Sequence, residues 1–459
     1  EVICPCIKSC DALIIDGHAL IQSLPDPTQQ LGNKTFSHLA SEYLDVILRL
    51  ADSIGCRGGQ IHNTFDRYYQ DSIKAFERNR RAGGVQRRNI YAIRPELRVL
   101  ADWRLFLSVD QNKESLAECF NQFMIKEGSS RLKPAQRLYL SGVKSNEAHL
   151  VSKTQSVNCK FLKSNHEEAD ARVVLHTIYA AKKGADRIVV SSPDTDVLVL
   201  LVHHLNRIMA SEIYFLTGRH TKHTDRKRFI PIHELSKKLT SVQRNILLPV
   251  YCMSGCDTVS SFFGHGKKTA YRIMKSESSA LGNIASLGDT TSVCDTEESA
   301  ARKFVAMMYG HNEDCRCLNE LRASIVKVKI VPGKNLPPTE DSFRQHLLRA
   351  THQLFIWKHA HKNEMNWPDP AQLGYERHPD TGQLEPCIMT QSPAAPELLI
   401  DIVCHCDPCS SSCPCFLQNQ PCTTACDCSE RDDGMGCCKN HVTVDNEEEI
   451  VDNLGIDDV

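Results

Sequence analysis

Seven acidic residues fall where a site for hard cations would need its oxygen donors. They are Asp16 in ALIIDGHAL, Asp66 in HNTFDRY, Glu168 and Asp170 in HEEADAR, Asp194 and Asp196 in SSPDTDVLVLL, and Asp257 in MSGCDT. Most follow a short apolar run. In an open parallel sheet, ligands bind outside the carboxyl ends of the strands. Carboxylates gathered there repel one another unless cations sit among them. Mg²⁺ and Mn²⁺ take oxygen donors of this kind. Two such ions roughly 3.5–4 Å apart clamp the attacking and leaving oxygens of an in-line displacement. Singly, each acid has an ordinary use: Asp194 as a helix cap, Glu168 beside a helix dipole, Asp66 in a surface ion pair. Five separate segments delivering acids in this way favour a shared pocket.

The elements that must position them are legible as apolar runs. ALIID (12–16), GQIHNTF (59–65), NCKFLK (158–163), RIVVSS (187–192) and EIYFLTG (212–218) read as strands. EEADARVVLHTIYAAKKG (167–184) has helical periodicity, with acids at its start and Gly184 near its end. Strands alternating with helices predict an α/β fold, a parallel sheet flanked by helices. Residues 232–276 read as helix, tight turn, helix around FFGHGKKTAYRIM, and 281–365 as a helical extension whose clearest amphipathic stretch is 341–360. A Pro-containing stretch, 366–400, reads as a linker. A cysteine cluster (402–441) and an acidic, disordered tail (442–459) follow.

Bulk properties narrow the class. The chain has 459 residues, is 41% hydrophobic and 24% charged, and carries a net charge of −2, as expected of a soluble protein of two or three domains. That sum hides a basic stretch from Arg57 to Arg104 and an acidic C-terminus. No apolar run is long enough to span a bilayer. EVICPCIKSC lacks the layout of a signal peptide, and the absent initiator Met suggests a fragment or a processed start. An intracellular, nuclear location is expected.

MSGCDTVSSFFGHGKKTAYRIM resembles the helix-turn-helix region of flap endonucleases and related structure-specific 5′ nucleases of the PIN-like superfamily. IIDGHAL, TFDRYYQDSIKAFERNRR, EEAD and SPDTDVL resemble that family's earlier motifs, in the same order. The resemblance covers roughly residues 11–280, so the PIN-like domain is placed at 1–280. It implies that Asp16, Asp66, Glu168 and Asp170 surround a first metal ion and Asp194, Asp196 and Asp257 a second. It further implies that Lys74 and an Arg, either Arg78 or Arg81, contact the scissile phosphate. Cations fixed there stabilise charge building on phosphate oxygens. Arg80 belongs to the same RNRR cluster, and Arg87 and Arg88 read as a backbone-binding patch. The stretch between Asp66 and Glu168 is longer than the family's. Gly264 and Gly266 flank His265 ahead of Lys267 and Lys268; such a turn exposes N–H groups suited to phosphate, and the family uses it to grip duplex DNA.

Of the 22 cysteines, ten lie between Cys404 and Cys438. Their repeated CxC spacing in an intracellular context points to metal rather than disulfides. Zn²⁺ takes four thiolates tetrahedrally, and a segment this poor in other apolar residues would draw its folding energy from metal. The segment resembles the CXC domain of tesmin and TSO1-like proteins. That resemblance implies Cys404, Cys406, Cys409, Cys413, Cys415, Cys422, Cys426, Cys428 and Cys438 as zinc ligands, Cys438 being favoured over Cys437 by the closing CKN. No Lys, Arg or Tyr lies between Cys404 and Cys428, so zinc binding is expected of this module and DNA binding is not. The resulting expectation is a two-metal, Mg²⁺- or Mn²⁺-dependent nuclease acting on DNA, branched or 5′-ended. The alternative is a catalytically inactive PIN-like nucleic-acid-binding or scaffold protein.

Overall fold

The computed structural model describes residues 7–27, 34–69, 72–74, 91, 93–99, 102–218, 228–311, 314–328, 333–391, 404–406, 412–417, 422, 426 and 428. It divides into a unit spanning Val2–Ile388 and a second formed by Met389–Val459 with Glu1.

The larger unit is built on an eight-stranded sheet. Its strands are β1 (Ala12–Asp16), β2 (Gln60–Thr64), β3 (Arg137–Leu140), β4 (His149–Ser152), β5 (Ser156–Asn158), β6 (Arg187–Ser191), β7 (Glu212–Thr217) and β8 (Arg228–Pro231), in the order β5-β4-β3-β2-β1-β6-β7-β8. The middle five are parallel; β4 pairs antiparallel with β3, β5 with β4, and β8 with β7. The parallel α/β architecture expected from the sequence is therefore the one present. β1 is buried at all five positions, as a central strand covered on both faces must be. Its side chains alternate: Ala12 and Ile14 join one apolar core, Leu13 and Ile15 the other.

Among the described residues, the α-helices of this unit are α1 (Gly17–Ser23), α2 (Phe36–Ser53), α3 (Trp103–Leu107), α4 (Asp110–Arg131), α5 (Ala169–Lys182), α6 (Thr195–His204), α7 (Ile232–Lys237), α8 (Ser241–Met253), α9 (Lys267–Glu277), α10 (Asp295–Met308), α11 (Leu318–Val328) and α12 (Glu340–Lys358). The core that takes Leu13 and Ile15 includes Tyr43 and Ile47 of α2 and Phe120 of α4. The core on the other face gathers Val174 of α5, Leu200 of α6, Met253 of α8 and Trp357 of α12. No helix among the described residues is long and apolar enough to cross a membrane.

Two local readings change. NCKFLK does not continue as a strand: after β5, Cys159 N–H bonds Ala148 O at 2.7 Å and Lys160–Leu162 coils into a 3₁₀ turn, burying Leu162 and leaving Phe161 71% exposed. Within the stretch read as a linker, β9 (Tyr375–Arg377) and β10 (Leu384–Pro386) form an antiparallel hairpin. Arg349 of α12 donates to the carbonyls of Gly374 and Cys387 at its base.

Candidate active site

The chain runs outward from β1 to β2 on one side and returns to place β6 on the other, so β1 borders the point where strand order reverses. A crevice opens there beyond the carboxyl ends, and β1, β2 and β6 all end at that edge. Each end carries an acid, or is followed by one within three residues, with a structural task. Asp16 caps α1, its Oδ1 accepting Ala19 N–H at 3.1 Å. Asp194 caps α6 through Asp196 N–H at 2.9 Å. Asp66 reaches across to α5 and accepts Ala169 N–H at 2.7 Å. The ordinary use as caps and the shared pocket are thus the same arrangement: three helix N-termini, each partly positive, converge where the carboxylates collect. Gly17 permits this approach, since a Cβ there would lie 2.5 Å from the Phe65 ring and 2.7 Å from Thr64 O.

Asp170, Asp194 and Asp196 form the tightest group, each contributing an oxygen within 4.8 Å of the others'. Ser192 links them to Asp16: its hydroxyl donates to Asp16 Oδ2 at 3.3 Å and accepts Asp194 N–H at 3.1 Å. The Tyr251 hydroxyl donates to Asp196. Lys74 joins the remaining acids, with Nζ 3.1 Å from Glu168 Oε1 and 3.8 Å from Asp257 Oδ2. Glu168 also accepts from Trp357 Nε1 at 3.2 Å and from Gln353 Nε2 at 3.5 Å.

Crowding shows in the protonation energetics. Burial, then the Asp194 carboxylate, holds Asp170 well above the usual carboxylate range. Burial and then Asp194 push Asp196 up to about 7. Burial, then Asp66 and Asp194, bring Asp16 to about 7. Asp194 is raised as well, by burial and Asp257, against the pull of the Asp196 N–H. Asp66 moves the other way: burial raises it, but His18, Lys74 and the Ala169 N–H outweigh that. For Lys74 the cost of burial is overcome by Glu168, Asp66, Asp170 and Asp257, which hold the ammonium charged. An all-oxygen donor set this reluctant to ionise fits a hard divalent cation, which would relieve the repulsion that Lys74 alone leaves.

The turn at Gly264–Lys268 separates its two lysines. Gly264 adopts φ +73 and Gly266 caps α9. Lys267 points inward: its Nζ donates to the carbonyls of Tyr251 and Gly255 and lies 3.3 Å from the Tyr251 ring centroid. It thereby satisfies C-terminal carbonyls of α8. Lys268 is exposed. Arg78, Arg80, Arg81, Arg87 and Arg88 lie outside the described residues.

Residues the sequence reading did not single out complete the site. Arg172, in the EEADAR motif itself, is 1% exposed and donates to the carbonyls of Phe65, Gly142 and His166. It locks the loop that carries Asp66 to α5. His18 Nδ1 accepts Asp66 N–H at 3.0 Å. Its adjacency to Asp16 in IIDGHAL was the available signal. Tyr251, Gln353 and Trp357 come from helices far along the chain and gave none.

In the C-terminal unit, the Sγ atoms of Cys404, Cys413, Cys415 and Cys422 lie within 4.8 Å of one another. Cys404–Cys422 and Cys404–Cys428 are 3.7 Å apart, and Cys413–Cys422 and Cys415–Cys426 are 3.8 Å apart. A disulfide needs about 2.05 Å, whereas thiolates around tetrahedral Zn²⁺, at ~2.3 Å from the metal, sit about 3.8 Å apart. Cys406 and Cys428 pack with this cluster. Cys409, Cys437 and Cys438 lie outside the described residues.

The molecule is therefore an α/β protein with an acid-lined switch-point crevice and a separate thiol cluster. Among solved structures it is similar to a bacteriophage T5 flap endonuclease in complex with DNA and metal ions, with a TM-score of 0.32, 12% identity and coverage of 76% of this chain and 98% of that one. It is also similar to the catalytic core of Rad2 in complex with DNA substrate, with a TM-score of 0.36, 12% identity and coverage of 80% and 88%. T5 5′-exonuclease with bound zinc gives a TM-score of 0.32 at 11% identity, covering 76% and 99%. No protein-family model matches the chain. No curated protein matches it in sequence.

Proposed function

We propose that this protein is a divalent-cation-dependent nuclease that hydrolyses DNA phosphodiester bonds at the crevice beyond β1, β2 and β6. The observation that carries this is the convergence of Asp170, Asp194 and Asp196 within 4.8 Å, beside the half-buried ammonium of Lys74. Those three carboxylates would hold Mg²⁺ or Mn²⁺, with Asp16, Asp66 and Asp257 adding negative charge to the same crevice. When bound, such ions polarise the attacking water and neutralise the leaving oxygen.

The chain's own groups do the rest. The carboxylates orient the cations and are themselves fixed by helix N–H groups, Ser192 and Tyr251. Lys74, paired to Glu168, faces the acids and is placed to neutralise a phosphate oxygen. Arg78 or Arg81 would supply a second positive charge to the phosphate. In the Gly264–Gly266 turn the His265 N–H is donated to Phe262 O at 3.0 Å; the N–H groups of Gly264 and Gly266, with Lys268, would hold the duplex backbone, and Lys267 contributes by fixing that turn to α8. A branched or 5′-ended substrate is the form of DNA favoured by the sequence motifs. In the C-terminal unit, Zn²⁺ held by Cys404, Cys413, Cys415 and Cys422, with the neighbouring cysteines, would organise the fold.

The test compares labelled single-stranded, duplex and 5′-flap DNA, with Mg²⁺, Mn²⁺ or EDTA, for the native chain and Asp194→Ala. Metal-dependent cleavage that falls at least about 10²-fold in the variant is expected. Tight binding with no cleavage in any metal would make the protein a scaffold.

A further inference from the structure

Both oxygens of Glu168 are already engaged by the protein. Oε1 holds Lys74 at 3.1 Å. Oε2 receives the Trp357 indole N–H at 3.2 Å and the Gln353 amide at 3.5 Å. Glu168 is 8% exposed, Gln353 2% and Trp357 1%. The tight carboxylate group comprises Asp170, Asp194 and Asp196, without Glu168. Trp357 has a single N–H, donor only, and an indole buried this deeply needs a partner for it. Glu168 is that partner.

The donors have their own support. Gln353 Oε1 accepts the Thr258 hydroxyl at 2.7 Å, and Thr258 O accepts the Tyr375 hydroxyl at 2.7 Å. Thr258 follows Asp257 in the GCDT loop, and Tyr375 opens the hairpin beyond α12. A continuous hydrogen-bonded chain therefore runs from the hairpin through the Asp257 loop and Gln353 to Glu168 and Lys74. Gln353 and Trp357 are four residues apart on one face of α12, which is why one helix can present both donors to one carboxylate.

We propose that Gln353 and Trp357 are positioning residues, holding Glu168 as the anchor of Lys74 rather than leaving it as a ligand for the cation. This rests on the nuclease reading for its catalytic consequence, but the network itself can be tested without cleavage. Trp357→Phe removes the N–H and keeps an aromatic ring; Gln353→Leu removes the amide. Folding is confirmed for both by circular dichroism and thermal unfolding. Both are expected to lower kcat about tenfold, the cost of losing one charge-assisted hydrogen bond, with KM changed less than twofold.

Independently of activity, the three tryptophans give indole ¹⁵N–¹H resonances, and Trp357→Phe identifies the one from Trp357. That resonance is expected to move in Glu168→Gln and in Lys74→Met. Mn²⁺ affinity measured by calorimetry without DNA is expected to stay within twofold in Glu168→Gln. An unmoved indole resonance in both variants, or a tenfold loss of Mn²⁺ affinity in Glu168→Gln, would overturn the proposal. Absence of cleavage by the native chain alongside a responsive indole signal would remove the nuclease reading and leave the network standing.

Discussion

Asp16 and Asp196 each titrate near 7 in the absence of a cation, well above an unfolded carboxyl near 4. The native state therefore binds more protons than the unfolded chain across that interval. By linkage, stability falls as pH rises from about 4 to about 7, where a salt-bridged carboxylate would give the opposite slope. The metal-free protein is expected to lose several degrees of Tm between pH 5 and pH 7.5, and millimolar Mn²⁺ is expected to restore them by binding only the folded form. Scanning calorimetry over that range checks both signs. A Tm that rises with pH in EDTA would mean that the acids do not crowd one another. At this scale the sequence was informative because carboxylates are conspicuous after apolar runs. Capping by Asp194 was among its readings, and the Asp16 cap is equally local, reaching only to Ala19; it could not show that Lys267 turns inward, because that depends on Tyr251 and Gly255, neighbours distant in the chain.

Among the elements, the longer parallel strands were legible and the short strands were not. ALIID and RIVVS are continuous apolar runs because both faces are covered. RLYL, HLVS and RFIP are strands of only four residues, too short for a period to emerge. NCKFLK misled because Phe161, its largest apolar residue, faces solvent. The hairpin at 375–386 hid behind Pro and Gly, although Tyr375 and Leu384 are buried. The junction of β2 and α5 depends on Arg172, which satisfies three carbonyls at once. Arg172→Met keeps much of the volume and leaves those carbonyls short of donors, at a cost of about 2–4 kcal/mol. Urea unfolding should register that loss. A change below about 0.5 kcal/mol would show that water replaces the guanidinium without penalty.

At the scale of the whole molecule, two kinds of candidate metal-binding group lie in two units. Among the described residues, the crevice groups carboxylates, which suit hard ions, and the C-terminal cluster groups thiolates, which suit Zn²⁺. The two should be separable. Deleting 402–441 is expected to remove the zinc found by elemental analysis and to leave Mn²⁺-dependent cleavage within a few-fold of the full chain. Zinc retained by the deletion variant would place it outside the cysteine cluster. The CxC spacing made the thiol cluster readable directly, since its ligands lie close in sequence. The crevice was readable only as an ordered set of motifs, because its acids meet through the sheet.

Binding of a divalent cation by the acids beyond β1, β2 and β6 underlies everything proposed for the crevice. Its most direct test is a crystal of the metal-free protein soaked in Mn²⁺ and measured for anomalous scattering. A peak bonded to Asp170, Asp194 and Asp196 is expected, and it disappears in Asp194→Asn. An empty crevice at saturating Mn²⁺, with the carboxylates unmoved, would contradict it.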